Sequence, residues 1–154
     1  METTNTTTIE TAEVDNDQDE RAAALAAFLE CDIDDVSEAS YGDNQYDAEG
    51  AEYLVLTDSE ADERVAEYIK DLLWAFNPSF LAGETDIDED VYTAIANNNK
   101  CESNNDAIMA LVKSTCGIDS LVESAVSADG RGHFMSSYDG EENEQGEFFI
   151  YRTN

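Results

Sequence analysis

Apolar residues recur at helical spacing through the middle of the chain and at strand spacing towards both ends. The clearest stripe follows Thr57, where Ala61, Val65, Tyr68, Ile69, Leu72, Leu73 and Phe76 mark one buried face of a helix. Thr57-Asp58-Ser59-Glu60 in front of it is a capping-box sequence, whose Thr and Glu side chains each satisfy a free amide at the helix start. Asn77-Pro78 predicts its end, because the residue before a proline is driven out of the helical region. Arg21 to Glu30 is Ala-rich with Leu25, Phe28 and Leu29 on one face, which predicts a short amphipathic helix. Three more helices are expected. The first runs from a Thr85 cap to about Asn98, with Val91, Ala94 and Ile95 inward. The second starts at Asn104 or Asn105, turns Ile108, Leu111, Val112 and Thr115 inward, and closes at Gly117. The third carries Leu121, Val122, Ala125 and Val126 and stops at Asp129-Gly130.

Between Asp32 and Thr57 the period changes. A turn at Gly42-Asp43-Asn44 and the run Glu52-Tyr53-Leu54-Val55-Leu56-Thr57 predict a hairpin or three-stranded unit. A second hairpin is expected at the C-terminus, pairing His133–Tyr138 with Glu147–Arg152 around a loop at Asp139–Gly146, with Phe148, Phe149, Ile150 and Tyr151 as a buried strand. Residues 1–20 are Thr-rich, acidic and poor in large apolar groups, and read as a flexible tail. The expectation is therefore an α+β fold with strands at both ends of the core. It comprises one domain over 21–154, about four to five helices, an N-terminal hairpin or small sheet and a C-terminal β-hairpin.

Composition changes the picture through charge. Thirty-seven Asp and Glu stand against seven Lys and Arg, a formal charge of −30 over 154 residues. Such self-repulsion calls for a reason outside the fold. With 42% hydrophobic residues the chain is too apolar for a disordered polyanion, so the acids decorate a folded body. Duplex DNA carries one charge per ~1.7 Å of axis, so 30 charges match roughly 50 Å of helix, a span that a small folded protein also offers. The acidity argues against direct binding to nucleic acid or anionic lipid and in favour of basic protein partners. Nothing reads as a membrane span or a secretory signal. Cys31, Cys101 and Cys116 show no metal or disulfide spacing and read as reduced thiols.

On the Thr57 helix Glu60, Glu63, Glu67 and Asp71 stand 3, 4 and 4 apart, so their side chains line one side of the helix at ~5–6 Å intervals. To a Lys- or Arg-rich groove such a row approximates phosphates, partly neutralised by Arg64 and Lys70. Asp58, Asp62 and the cluster Asp86, Asp88, Glu89 and Asp90 extend the negative surface, as do Asp139, Glu141, Glu142 and Glu144. Solvated faces and helix caps explain any one row, since acids in a first turn suit the helix dipole. They do not explain an excess over the ~2–8 net charges that solubility needs. Halophilic adaptation also gives high acid and low Lys, but the many Asn residues, Asn97 to Asn99, Asn104 and Asn105 among them, do not favour it.

Other chemistry is thinner. His133, Ser136, Ser137 and Asp139 are triad residue types crowded into seven positions of an expected strand, whereas a triad is assembled from separate segments. His133 is the only histidine, which removes a multi-His metal site. Asp15–Asp19 and Asp86–Asp90 begin like calcium loops but lack the glycine and the closing glutamate. No cofactor, metal or catalytic residue is expected.

Five segments, Glu52–Asp58, Leu73–Asn77, Ala128-Asp129-Gly130-Arg131-Gly132-His133-Phe134, Ser136–Glu144 and Phe148-Phe149-Ile150-Tyr151-Arg152-Thr153-Asn154, together resemble a family of small acidic tailed-bacteriophage proteins. The resemblance covers most of 21–154 and is most distinctive at the C-terminus. It carries over no catalytic or binding residues. It implies origin, a protein acting in the cytoplasm of an infected bacterium, and in size and charge the chain is similar to phage DNA mimics that block restriction or CRISPR-type nucleases. The resulting expectation is a non-enzymatic inhibitor that occupies a basic nucleic-acid-binding groove of a host defence protein. The rival is an interaction protein that uses a loop or apolar epitope, such as Gly130–Gly146, with acids serving only solubility. The Phe148–Tyr151 run would offer a homodimer edge if left uncovered.

Overall fold

The computed structural model describes residues 16–40, 42–97 and 102–154. Its centre is a five-stranded antiparallel sheet in the order β1-β2-β3-β5-β4. The strands are β1 (Val36–Glu38), β2 (Gln45–Ala48), β3 (Ala51–Thr57), β4 (Asn143–Gln145) and β5 (Phe148–Arg152). The expected tail lies outside the described residues as far as 15; from Asn16 the chain is already helical, in α1 (Asn16–Leu29). This helix lies against one face of the sheet. On the other face gather α2 (Asp58–Asp71), α3 (Pro78–Thr85), α4 (Glu89–Asn97), α5 (Asn105–Lys113), α6 (Ile118–Asp129) and α7 (Arg131–Met135).

The period of two in β3 and β5 feeds both faces. Tyr53, Val55, Phe148 and Ile150 pack with Leu25 of α1, whereas Leu54, Leu56 and Tyr151 join Val65, Ile69, Leu121 and Ala125 on the helical side. Val55 pairs with Ile150 and Leu56 with Phe149. A strand covered on both faces has no polar side to present, hence the unbroken apolar runs. The N-terminal unit, expected as a hairpin or three strands, has three strands, joined through β3 to β5 in one five-stranded sheet. Its first turn carries Asp43 and Asn44 at φ 61° each, and Glu49-Gly50 closes the second at φ 52° and 78°, the double positive φ that tight hairpins favour.

The number of helices corrects the sequence reading: the described residues hold seven, not four to five. One miss lies at Asn77-Pro78, which starts a helix rather than ending one. Helix α2 stops at Asp71, a 3₁₀ turn spans Leu73–Ala75, and Asn77 then caps α3 by accepting from the Ser79 amide at 3.0 Å. Proline suits the first position of a helix, where its missing N–H has no partner to lose. Thr85 is not a cap. It is the last residue of α3, its hydroxyl 2.7 Å from both the Leu81 carbonyl oxygen and the Tyr92 hydroxyl. Asp88 caps α4 instead, accepting from the Asp90 amide at 2.9 Å. The phase of α4 shifts accordingly: Tyr92 is buried, and the expected inward residues Val91 and Ala94 are exposed. Tyr68 and Thr115 also face outward.

The C-terminal hairpin is real but differently built. Residues expected as its first strand, His133–Tyr138, instead belong to α7 and the turn after it, and β5 pairs with Asn143–Gln145 across Gly146-Glu147. Because β5 lies between β3 and β4, its apolar run is covered and forms no dimer edge; the sheet's edges are the three-residue strands β1 and β4. Glycine makes the α7 packing possible. A Cβ at Gly132 would stand 2.6 Å from the Gly140 carbonyl oxygen and 2.7 Å from the Glu142 amide nitrogen, both backbone atoms. Gly132→Ala is therefore expected to cost about 1–3 kcal/mol, since neither backbone can yield without moving the 140–142 segment. Urea denaturation checks this, with Gly83→Ala, at an exposed position with open space around it, as the control.

Candidate functional site

The capping box at the start of α2 forms as its sequence requires, Glu60 donating its amide to Thr57 Oγ1 at 3.4 Å and accepting from the Thr57 amide at 2.8 Å. The same carboxylate does more. Arg21 of α1, only 2% exposed, donates to both Glu60 oxygens at 2.7 and 2.8 Å and to the Val55 carbonyl at 2.8 Å, its guanidinium lying over the Phe148 ring. Glu60 is thus held inside the fold by Arg21 rather than neutralised by Arg64, which instead donates to the Asp43 carbonyl oxygen. The hydrogen bonds from Arg21 hold the Glu60 carboxyl below its ordinary value.

Arg131, on α7, is the counterpart on the opposite face of the sheet. Its guanidinium sits 4.6 Å from the centre of the Phe149 ring and bonds Asp58 at 2.8 Å, Asp62 at 3.0 Å and Glu142 at 2.8 Å. Glu142 also accepts from the Tyr151 hydroxyl. Burial works against the Arg131 charge, but the bonds to Glu142 and Asp58 outweigh it and raise the pKa above its usual value. Burial first, then the Glu142 contact, pushes the Tyr151 phenol up as well. Three residues expected on a partner-binding surface, Asp58, Asp62 and Glu142, therefore converge on one internal cation that ties α2, α7, the 140–142 segment and β5 together.

The remaining expected residues fall into separate places. Glu63, Glu67 and Asp71 run along the outer side of α2, exposed and in no ion pair among the described residues. Helical geometry puts Asp58 and Asp62 on the other flank, so the surface of α2 is two strips rather than one. Asp86 and Asp88 lie in the turn between α3 and α4 and Glu89 and Asp90 in the first turn of α4, all four exposed. Asp139 is 2.6 Å from the Ser136 hydroxyl, the contact that does most to lower its pKa, while Glu141 and Glu144 are exposed. Sequence reasoning missed one juxtaposition: Asp119 and Glu123 of α6 meet Asp62 around a groove of about 330 Å³ floored by Val65, Val122 and Val126.

The triad residue types do not converge. His133 stands edge-on to the Phe134 ring at 5.0 Å, and buried Ser136 is engaged with Asp139 and with the Arg152 carbonyl oxygen at 2.7 Å. Among the described residues no group of three or more His, Cys, Asp or Glu is arranged to hold a metal ion, and no helix is long and apolar enough to cross a membrane. Cys31 and Cys116 are free thiols; Cys101 lies outside the described residues. Comparison with protein-family models, curated proteins and solved structures finds no match for this chain. The resemblance to tailed-phage proteins therefore rests on the sequence segments alone.

Two outcomes follow from this arrangement of charge. Because the Glu60 pKa lies below the ordinary 4.5, its stabilisation is complete above that pH and is lost as pH falls through the lowered value. Glu60→Gln is expected to cost about 2 kcal/mol at neutral pH, less than a fully buried pair because Glu60 keeps some solvent contact. Its deficit against the parent should close as the solution is acidified below 4.5, as urea titrations at stepped pH will show. Separately, exposed carboxylates without partners repel over the Debye length, which shrinks from ~30 Å at 0.01 M salt to ~8 Å at 0.15 M. The Tm should accordingly rise by several degrees between those concentrations of NaCl. A flat or falling Tm in calorimetry would mean the carboxylates are already compensated.

Proposed function

We propose that this protein is a non-enzymatic DNA mimic that occupies the basic nucleic-acid-binding groove of a partner protein. One observation carries the reading. Arg21 and Arg131 are engaged inside the fold, Arg64 on a neighbouring turn and Arg152 on Tyr138, whereas Glu63, Glu67 and Asp71 face solvent in no ion pair among the described residues. The four arginines are thus committed to contacts other than the outer row of α2. Helix α2 is fixed by its capping box and by its burial of Ala61, Val65 and Ile69, so its outer carboxylates are a preset array that loses little freedom on binding. The charge steers association, and carboxylates take the places of phosphates on the partner's Lys and Arg side chains. The resemblance to acidic tailed-phage proteins supports a partner among host defence nucleases of the restriction or CRISPR type, met in the host cytoplasm.

The test uses immobilised protein and bacterial lysate at two salt concentrations, with and without duplex DNA. The captured partner should be released by salt and by DNA. Glu63→Lys, Glu67→Lys and Asp71→Lys together should lower its association rate roughly 10-fold or more, with effects that add. A partner indifferent to salt and DNA, but lost on one or two substitutions in Gly130–Gly146, would favour the epitope reading instead.

A further inference from the structure

Among the described residues a guanidinium lies over an aromatic ring at three positions: Arg21 on Phe148, Arg131 on Phe149 and Arg152 on Tyr138, at 5.3, 4.6 and 3.6 Å from the ring centres. In the first two a carboxylate completes the arrangement, Glu60 for Arg21 and Asp58, Asp62 and Glu142 for Arg131. The same components meet again on the surface. A groove of about 340 Å³ between the end of α2 and α7 is lined by Tyr68, Phe76, Phe134, His133 and Asp129, and among the described residues no Lys or Arg contributes to its wall. Phe76 and Phe134 stack at 6.2 Å with 21° between their planes, and Tyr68 is 46% exposed.

Electrostatics at this groove favour a cation for two separate reasons. The C-terminal ends of α2 and α6 both border it, through Leu72 and Asp129, and a helix C-terminus carries the negative end of the helix dipole. Asp129 is moreover the last residue of α6, where a carboxylate opposes the dipole and weakens the helix. Its exposed side chain gains no ion pair among the described residues in return. We infer that this groove is the socket for an arginine side chain of the basic partner, its guanidinium stacked on the Tyr68, Phe76 and Phe134 rings and paired with Asp129. This rests on the partner being a basic protein, as proposed above, and names the feature it presents. Arginine fits better than lysine because its planar, weakly hydrated head stacks on rings while pairing with a carboxylate.

The test measures hexa-arginine and hexa-lysine peptides against the full chain by amide-resolved NMR titration. Salt of 0.5 M NaCl damps the diffuse attraction that both peptides share. Hexa-arginine should shift the Tyr68, Leu72, His133 and Phe134 amides saturably and bind about fivefold or more tighter than hexa-lysine. Tyr68→Ala and Asp129→Asn should each remove that preference. Asp129→Asn should at the same time raise the Tm, a combination that a merely structural role for Asp129 does not produce. Equal binding of the two peptides, shifts centred elsewhere, or an unchanged preference in Tyr68→Ala overturns the inference. The E63K/E67K/D71K variant separates this from mimicry. If it alone loses the arginine preference, the α2 row is the site and the socket falls while mimicry stands. If the preference stays in the groove but no captured partner yields to duplex DNA, mimicry falls and the socket stands.

Discussion

In a chain with a formal charge of −30, two arginines with little solvent exposure offset carboxylates at the start of α2 from opposite sides of one strand. Phe148 and Phe149 are adjacent on β5 and face opposite ways, so Arg21 covers one ring and Arg131 the other. Each guanidinium also reaches a different part of α2, Glu60 for Arg21 and Asp58 and Asp62 for Arg131. Helix α2 is thereby anchored at its first turn to elements on both faces of the sheet. The remaining architecture follows from that anchor: α1 is tied to one face through Arg21, and α7 and the 140–142 segment to the other through Arg131 and the close approach at Gly132.

The anchor has a consequence for the surface. Acids near α2's N-terminus are drawn into contact with arginine, while those along its outer side, Glu63, Glu67 and Asp71, are left to solvent. The negative surface is therefore not a uniform coat. It has a compensated zone at the junction of α2, α7 and β5, which includes Asp62, and uncompensated zones along outer α2, at the α3–α4 turn and at Asp119 and Glu123 on the far side of the groove from Asp62. A partner that tracks a charged rod would meet the uncompensated zones first, and a rigid body holds their spacing in a way that an acidic tail cannot.

Local signals were legible in the sequence, and contacts between distant segments were not. The capping box of Thr57 and Glu60 could be read because both partners lie within one turn. The apolar runs of β3 and β5 could be read because burial on two faces leaves no polar alternation. Asn77-Pro78 failed because proline is as compatible with the first turn of a helix as with the end of one, and the apolar stretch Leu72–Phe76 masked the break before it. His133–Tyr138 failed because nothing local announces that Gly132 must lie flush on the 140–142 backbone. Of the site, the outer α2 row and the α3–α4 cluster were legible from spacing. The roles of Glu60, Asp58 and Asp62 were not, since they depend on arginines 39 to 73 residues away along the chain, nor was that of Glu142, whose partner Arg131 is 11 residues away across a turn that was misread as a strand. A usable signal existed: in a chain with seven basic residues, Arg131 stands between two glycines and Arg21 directly precedes an Ala-rich run, places where solubility needs no cation.

Charge alone is a poor basis for choosing one basic protein among many, because steering acts on any cationic surface and weakens with salt. Selectivity needs a contact whose strength depends on shape and desolvation. The groove at the end of α2 supplies such a contact within the same acidic surface, since stacked rings reward a planar cation held close and reward little else. On the proposed reading the two features act at different stages of binding. Exposed carboxylates raise the frequency of encounter, and an aromatic socket lengthens the life of the encounters that seat an arginine correctly. The placement of Asp129 is consistent with that division, because it weakens the end of α6 and gains its value only when a cation arrives. The interior arginines show what the arriving one would find, a ring beneath it and a carboxylate beside it.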